Sequence, residues 1–344
     1  MKKRGIFSLM ALILGVLVGF SLVFFKCSKP QEPEIIPEIP EPEVIEEIVE
    51  EEEEDSALIT SVSEINSYLS TMQGGFSPDN PVVLPLAMNL GNMAQDETSW
   101  QNLLTVINNS GRFVNLDLSG SVISSTEFNP GSSIAEGKSR IVSISLPDTT
   151  TRIASGIGWD GTEIVTTFAH FDNLESFSAP ALTSIGDYAF YHFTNLTMTR
   201  LPPGITSIGS YAFSGCTNLT ITRLPAGITT IGDFAFSYCT DLALTELPAR
   251  LVSIGHNAFA YCTNLAVSEL PEGLVSIGSE AFYNCTSIVN LTIPQSVMEI
   301  GSRAFENWTR EQTIYVKGRT QGEADTAWGI GWRAGINANI VYLD

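Results

Sequence analysis

Hydrophobic positions recur with one fixed period through the second half of the chain. An Ile-Gly pair returns every 23 residues, and an Ala-Phe pair starts four residues after each isoleucine. The isoleucines of these pairs are Ile185, Ile208, Ile231, Ile254, Ile277 and Ile300. A unit this short cannot bury its own apolar face, so the period predicts units that stack and share one core.

The full repeat unit reads Leu-Pro-x-x-Ile-x-Ser/Thr-Ile-Gly-x-x-Ala-Phe-x-x-Cys-Thr-Asn-Leu. Periods of about 20 to 29 residues with leucine and isoleucine columns are typical of leucine-rich repeats. The sequence therefore predicts an α/β repeat fold, a leucine-rich-repeat solenoid of 23-residue units with N- and C-terminal caps. Leu146-Pro147 and Ile153 match the unit as well, and roughly nine extra residues near Ser155–Thr166 predict a projecting loop.

One copy of the unit carries a family resemblance. It runs from Leu224 to Gly232, continues with Ala235-Phe236 and ends with Cys239–Leu242. This pattern resembles the BspA-like leucine-rich repeat family of bacterial surface proteins, and the resemblance covers about residues 112–344. Some members of that family bind host matrix proteins or mediate adhesion. The resemblance therefore implies an exported protein that binds other proteins.

Residues Ala57–Ser110 lack the repeat and predict an N-terminal cap. Ser61 and Glu64 match a capping box at the start of a helix. Apolar residues at helical spacing predict two amphipathic helices, formed by Val62, Ile65, Leu69 and Met72 and by Trp100, Leu103, Leu104 and Ile107. Strands are expected at Val82–Leu86 and Phe113–Leu118.

The residues after the last repeat predict a C-terminal cap. Strands are expected at Ile314–Val316 and Asn339–Tyr342, on either side of a short helix at Glu323–Ala334. Terminal repeats need a cap that keeps the open end of the core out of water. Three tryptophans are expected to close this end: Trp308, Trp328 and Trp332.

Two columns of the repeat need a separate interpretation. The cysteines Cys216, Cys239, Cys262 and Cys285 share one position, and stacked strands about 4.8 Å apart would separate the outer two by about 14 Å. A zinc ion needs its sulfur ligands within about 4 Å of one another, so we expect buried thiols and no metal site. The glycine after each isoleucine predicts either a positive φ or a close approach of two backbones.

Composition and charge exclude several functions. The chain of 344 residues has 38 acidic and 17 basic residues, a net charge of −21, whereas nucleic-acid binding needs clustered Lys and Arg. Gly156–Gly161 and Gly329–Ala334 match a dinucleotide fingerprint, but such a fingerprint must follow a strand and open a helix. No catalytic motif is found in the sequence, so we expect a protein without enzyme activity, cofactor or metal.

The N-terminal segment predicts export and membrane attachment. Lys2, Lys3 and Arg4 precede the uncharged run Gly5–Phe25, which is long enough to span a bilayer as a helix of about 20 residues. Cys27 follows this run and resembles the lipidated cysteine of bacterial lipoproteins, although Lys26 departs from the small residues that precede such a site. A lipid anchor at Cys27 and an uncleaved signal anchor both remain open, and both tether an exported domain.

A charged segment separates this anchor from the repeats. Residues 32–55 contain 13 acidic residues and no basic one, together with several prolines. Such segments repel themselves and stay extended, which predicts a disordered stalk. The domains expected from the sequence are a signal or anchor segment 1–27, a stalk 28–56, a cap 57–111, the solenoid 112–310 and a second cap 311–344.

The best candidate for a binding surface precedes the Leu-Pro pairs. We expect strands there, and along Leu219–Leu224 we expect Leu219 and Ile221 to point inward, with Thr220 and Thr222 outward. Stacking then gives two outward columns, one of hydroxyls and one with a basic and an acidic end. The residues of this candidate strip are Thr199, Arg200, Thr222, Arg223, Thr245, Glu246, Ser268 and Glu269.

These features favour a binding protein over an enzyme. The leading prediction is an adhesin at the bacterial surface whose partner is a protein, such as a host extracellular matrix protein. The alternative is a periplasmic scaffold that binds envelope proteins, and a third, an envelope hydrolase, lacks a recognisable catalytic group. The fold alone does not separate the first two, because one fold serves many functions.

Overall fold

A computed structural model describes residues 58–93, 99–131, 136–159 and 164–343. Cys27 and the predicted anchor and stalk lie outside the described residues. Every element given below lies within Glu54–Asp344. Within the described ranges, no helix combines the length and the apolar character that crossing a membrane requires.

Short strands dominate the structure and helices are few. The α-helices are α1 (Val62–Thr71), α2 (Ser99–Ser110) and α3 (Gln321–Trp328), and 3-10 helices cover Lys138–Arg140 and Ile330–Arg333. The strands, in chain order, are β1 (Val82–Pro85), β2 (Asn89–Gly91), β3 (Val114–Asp117), β4 (Val122–Ile123), β5 (Glu127–Phe128), β6 (Ile141–Ser145), β7 (Arg152–Ile153), β8 (Gly158–Trp159), β9 (Ile164–Val165), β10 (Ser176–Ser178), β11 (Ser184–Ile185), β12 (Ser207–Ile208), β13 (Thr230–Ile231), β14 (Ser253–Ile254), β15 (Ser276–Ile277), β16 (Asn290–Ile293), β17 (Glu299–Ile300), β18 (Thr313–Lys317) and β19 (Asn339–Leu343).

The Ile-Gly motif builds one parallel sheet of eight strands. Its order is β5, β7, β11, β12, β13, β14, β15 and β17, so each strand pairs with the strand of the adjacent repeat. The register places isoleucine on isoleucine, for example Ile208 on Ile231. Each 23-residue unit is therefore one rung of a solenoid, as the sequence predicts. The pairing of β7 with β11 confirms that Ile153 belongs to the array.

The glycine column allows the rungs of this sheet to approach closely. A Cβ atom on Gly232 would lie 2.6 Å from the backbone of Gly209, and one on Gly278 would lie 2.5 Å from the backbone of Gly255. Real Cβ atoms do not come this close to backbone atoms. The φ angles of this column are not positive, so of the two explanations for the column, close approach is confirmed and a left-handed turn is wrong.

The segments that precede the Leu-Pro pairs form a second face of the solenoid, which we call the Leu-Pro face. Hydrogen-bonded strands cover only part of it. At one end β1, β3, β6 and β10 form a parallel sheet, and at the other end β16, β18 and β19 form another. Between them, no strand covers residues 198–201, 221–224 or 244–247 of the described chain. The prediction of a strand at Leu219–Leu224 is therefore wrong, although Leu219 and Ile221 are buried and Thr222 is exposed as expected.

The spacing of buried residues explains this interruption. In the middle rung the buried positions are Leu219, Ile221 and Leu224, a step of two followed by a step of three. Around β16 they are Ile288, Leu291 and Ile293, and the final step of two matches the alternation of a strand. A final step of three leaves two neighbouring residues facing solvent, which a regular strand does not allow.

A stack of phenylalanines fills the core along the solenoid axis. Successive rings lie 4.5 to 5.7 Å apart between centroids with nearly parallel planes, from Phe168 through Phe190, Phe213, Phe236, Phe259 and Phe282 to Phe305. Trp308 and Trp332 contact the last ring edge to face, and Trp332 is fully buried. The aromatic column thus ends against two tryptophan rings.

The elements outside the repeats are largely as predicted, with two corrections. The amphipathic helices α1 and α2 bury Ile65 and Leu69, and Trp100 and Leu103, respectively. Ser61 does not cap α1 with a side-chain bond to the backbone, because its hydroxyl bonds to the Glu64 carboxylate 2.8 Å away. The capping box is found instead at α3, between Thr320 and Glu323.

The predicted helix at Glu323–Ala334 is the second correction. It is divided at Gly329, whose φ of 70° ends α3, and a 3-10 helix follows.

The predicted loop near Ser155–Thr166 is a hairpin in which β8 pairs antiparallel with β9. The fingerprint beginning at Gly156 runs into this hairpin, and the one beginning at Gly329 runs along the 3-10 helix, so neither leads from a strand into an α-helix.

Candidate protein-binding strip

All eight residues of the predicted strip are exposed and lie on four consecutive rungs of the Leu-Pro face. Each rung contributes a hydroxyl residue and a charged residue that are adjacent in sequence, such as Thr222 and Arg223. Both can face solvent because the next buried residue, Leu224, comes three positions after Ile221. The spacing of three between buried residues, which prevents a regular strand, therefore also places two columns of side chains in solvent.

The charges of the strip change sign at its midpoint. Arg200 and Arg223 occupy two neighbouring rungs, and Glu246 and Glu269 occupy the next two. At the change of sign, the Arg223 Nε atom lies 3.4 Å from Glu246 Oε1, with 74% and 61% of the two side chains exposed. Exposed ion pairs of this kind contribute roughly 0.2–1 kcal/mol, so folding gains little from the charges of the strip.

Backbone groups are also free along the strip. No backbone hydrogen bond joins residues 199–201 to 222–224, or 222–224 to 245–247, among the described residues. The rungs are joined just before these positions, where Ala243 N–H donates to the Ile221 carbonyl and Ala266 N–H to the Leu244 carbonyl. Only the last rung is paired, because the Ser268 carbonyl accepts from Thr292 N–H. On three rungs, the main-chain groups at these positions therefore have no backbone partner in the neighbouring rung.

The aromatic column beside the Ile-Gly sheet has a different arrangement. Tyr188, Tyr211 and Phe234 stack face to face, with ring centroids 4.6 and 4.5 Å apart. Their backbones have positive φ angles of 55° to 57°, which are uncommon for residues other than glycine. Half-burial raises the pKa of the Tyr188 and Tyr211 hydroxyls. Because the rings cover one another's faces, the column mainly packs one turn against the next.

The cysteine column forms hydrogen bonds to the backbone of neighbouring rungs. Each thiol is buried and unpaired with another cysteine, and each donates to a phenylalanine carbonyl 26 residues earlier, as Cys239 does to Phe213 at 3.0 Å. Burial raises the pKa of all four thiols, so they remain protonated. In the part of the chain that the structure describes, no three His, Cys, Asp or Glu side chains are grouped to hold a metal ion.

Two features escaped the sequence analysis. A groove of about 640 Å³ lies along the glycine column, and the residues that line it include Asp233, His256 and Trp328. Lys138 is fully buried, donates its ammonium group to the Gly131 carbonyl, and has its pKa lowered to about 8 by burial. The glycine period could have indicated the groove, whereas Lys138 falls outside any repeat column.

Comparisons with known proteins identify the repeat. A model of the family described as "BspA type Leucine rich repeat region" matches residues 165–266 and 229–321, with six copies. No curated protein matches the chain. Leucine-rich repeat arrays generally present extended surfaces that bind other proteins.

Solved structures with some similarity come from bacteria. A leucine-rich repeat protein of T. pallidum is 23% identical, with 50% of this chain and 77% of that one covered and a TM-score of 0.40. One from Bacteroides ovatus is 20% identical, with 62% of this chain and 54% of that one covered and a TM-score of 0.39, so this chain spans about half of its length.

The family match lies within the stacked rungs that carry the isoleucine, phenylalanine and cysteine columns. Residues 165–321 of this chain are therefore a BspA-type leucine-rich repeat region.

Proposed function

We propose that this protein is an exported, membrane-anchored adhesin that binds another protein through the strip on its Leu-Pro face. The observation that carries the proposal is the combination of exposed charged side chains and unpaired backbone groups on the same three rungs. Protein partners are recognised by arranged charges and hydrogen-bonding groups, and neither is needed here for folding. The protein binds rather than catalyses.

The domain organisation follows from the same proposal. Residues 1–27 would anchor the chain, through lipid on Cys27 or through an uncleaved helix, and the stalk 28–56 would hold the array away from the membrane. Residues 57–111 and 311–344 would cap the solenoid 112–310 at its two ends. At about 3.1 Å per residue, an extended stalk of this length reaches roughly 80–90 Å.

Protease accessibility tests where the array is exposed. We expect a protease added to intact cells to cleave the repeat domain, because an adhesin must face the outside. Protection on intact cells, followed by cleavage after the outer envelope is permeabilised, would contradict the adhesin and favour the periplasmic scaffold. A known periplasmic protein, probed in the same samples, reports whether the envelope stayed closed.

Charge reversal tests the strip. Arg200→Glu together with Arg223→Glu should weaken capture of host extracellular matrix proteins by at least about tenfold, because close charge pairs across an interface contribute about 1.5 kcal/mol or more. The matched control is Arg152→Glu with Arg310→Glu, which changes the net charge equally at exposed positions away from the strip. Equal binding by both variants would contradict the role of the strip in binding. Thermal unfolding checks that neither variant has lost its fold.

A further inference from the structure

The order of charges along the strip is self-complementary. Starting from the N-terminal rung, the charges read plus, plus, minus and minus, at Arg200, Arg223, Glu246 and Glu269. A two-fold rotation about an axis through the midpoint reverses this order. It therefore brings each arginine opposite a glutamate of a second, identical strip.

We infer that the strip binds a second copy of this chain, with the two arrays antiparallel about a two-fold axis between the rungs of Arg223 and Glu246. Arg200 then faces Glu269 of the second copy, and Arg223 faces Glu246 of the second copy. Interfaces with two-fold symmetry use the same patch on both subunits, which requires a patch that is complementary to itself. This inference rests on the proposed binding role of the strip and names its partner.

The surroundings of the strip suit such a contact. The rows beside the charges carry hydroxyls at Thr199, Thr222, Thr245 and Ser268, which donate and accept equally well and fit their own copies. All eight side chains are exposed, and their rungs are about 4.8 Å apart, so the strip is about 14 Å long. On the three rungs that begin at Thr199, Thr222 and Thr245, unpaired carbonyl groups can accept hydrogen bonds from the opposing side chains, and unpaired N–H groups can donate to them.

The acidity of the whole chain does not prevent this pairing. The net charge of −21 repels two copies at a distance. The strip itself is neutral, with two basic and two acidic residues, and the Debye length at physiological salt is about 8 Å. When two copies are in contact, the facing charges of the strip are closer together than most of the other charges of the two chains. Their attraction is therefore screened less by salt.

A set of charge variants of the full chain, purified in detergent, tests the inference by sedimentation equilibrium. The wild type should self-associate as concentration rises. Arg200→Glu/Arg223→Glu leaves four negative charges, and Glu246→Arg/Glu269→Arg leaves four positive charges, so each variant alone should associate at least about tenfold more weakly. An equimolar mixture of the two should recover the association, since the strips then attract each other.

A variant with all four charges of the strip reversed distinguishes binding of a second copy from binding of a different protein. Arg200→Glu/Arg223→Glu/Glu246→Arg/Glu269→Arg reverses the order of charges and keeps it self-complementary. The swapped chain should associate with itself but co-precipitate poorly with a differently tagged wild type, because like charges would then meet. Arg152→Glu/Arg310→Glu serves as the control and should associate as the wild type does.

Two outcomes would overturn the inference. One is a wild type that stays monomeric at all concentrations, and the other is a mixture that associates no better than its two components. If the strip instead binds a different protein, the swapped chain loses that partner while no variant changes self-association, which would leave the adhesin standing. If neither binding nor self-association responds to any variant, the proposed function of the strip fails as well.

Discussion

The Ile-Gly sheet and the Leu-Pro face have the same 23-residue period, yet their rungs are joined differently. On the sheet, strands pair across eight rungs, and each glycine N–H donates to the isoleucine of the preceding rung, as Gly232 does to Ile208. On the Leu-Pro face, ladders exist at the two ends but not across the rungs of Arg200, Arg223 and Glu246. One face therefore holds the solenoid together while the other leaves its polar groups free.

This difference shows where substitutions can alter binding without altering the fold. The sheet depends on glycines that touch neighbouring backbones, so few side chains can be introduced there. Among the described residues, the eight side chains of the strip make one weak ion pair, between Arg223 and Glu246, and no other side-chain hydrogen bond or ion pair. Binding residues in repeat proteins are expected on the face whose side chains the stack does not need.

The largest effect is expected from exchanging two residues of one middle rung. Ile221→Thr with Thr222→Ile keeps the composition but gives the buried spacing seen around β16. We expect the free energy of unfolding to fall by about 3–4 kcal/mol, because the neighbouring rungs keep the old spacing and a hydroxyl replaces a buried side chain. Urea denaturation followed by circular dichroism measures the change.

The single substitution Thr222→Ile is the control for this exchange. It adds an apolar side chain at an exposed position, and we expect an effect within about 0.5 kcal/mol. A loss of less than about 1 kcal/mol for the double exchange would contradict the idea that the buried spacing determines how the rung is built.

A smaller effect is expected from a methyl group in the glycine column. Gly278→Ala places a Cβ 2.5 Å from the backbone of the preceding rung, and we expect a loss of about 2–3 kcal/mol in thermal or urea unfolding. Gly273→Ala is the matched control in the same rung, because its Cβ would have only Ala249 O at 3.6 Å as its nearest neighbour. That substitution should be neutral or stabilise by up to about 1 kcal/mol. Equal losses for the two variants would argue against close approach.

The smallest effect is expected at the turn that joins the faces. Cys239→Ala removes a thiol that donates to the Phe213 carbonyl, and we expect a loss of about 1–2 kcal/mol in the same unfolding measurement. Cys239→Ser restores a donor and should lose less.

Alkylation of the thiols gives an independent test. Because burial raises the pKa of the Cys239 thiol, little thiolate forms at pH 8, and iodoacetamide should label this residue only after denaturation. Mass spectrometry of peptides assigns the label to individual cysteines. Rapid labelling of Cys239 in the folded protein would contradict its place in the core.

The repeat and its register were predictable because isoleucine, glycine and phenylalanine return at a strict interval. Helices α1 and α2 were predictable from their apolar spacing for a similar reason. The interruption of the Leu-Pro face was not predicted, although the spacings of Ile221 to Leu224 and of Leu291 to Ile293 are present in the sequence. A repeat consensus combines all copies and so hides whether the last buried step is two or three residues. That step decides whether a regular strand forms.

Other differences arise from local choices that a pattern does not contain. Both Ser61 and Thr320 match a capping box, and only geometry separates the true box at Thr320 from a side-chain pair at Ser61. The positive φ angles fall on Tyr188, Tyr211 and Phe234 instead of on glycine, because the turn is imposed by the stacking of the rungs. The charges of the strip were visible in the sequence, whereas the free backbone groups beneath them were not.

Because the stack of rungs is held by contacts between adjacent units, its length is open to change during evolution. A duplicated or deleted 23-residue unit would leave every isoleucine pair, stacked ring and thiol bond with an equivalent neighbour, so folding would tolerate it. The row of charges would not tolerate it in the same way, since an extra unit carrying Arg223 would leave three positive charges against two negative ones. Gene duplication in such an array would thus change which molecules recognise one another before it changed the fold.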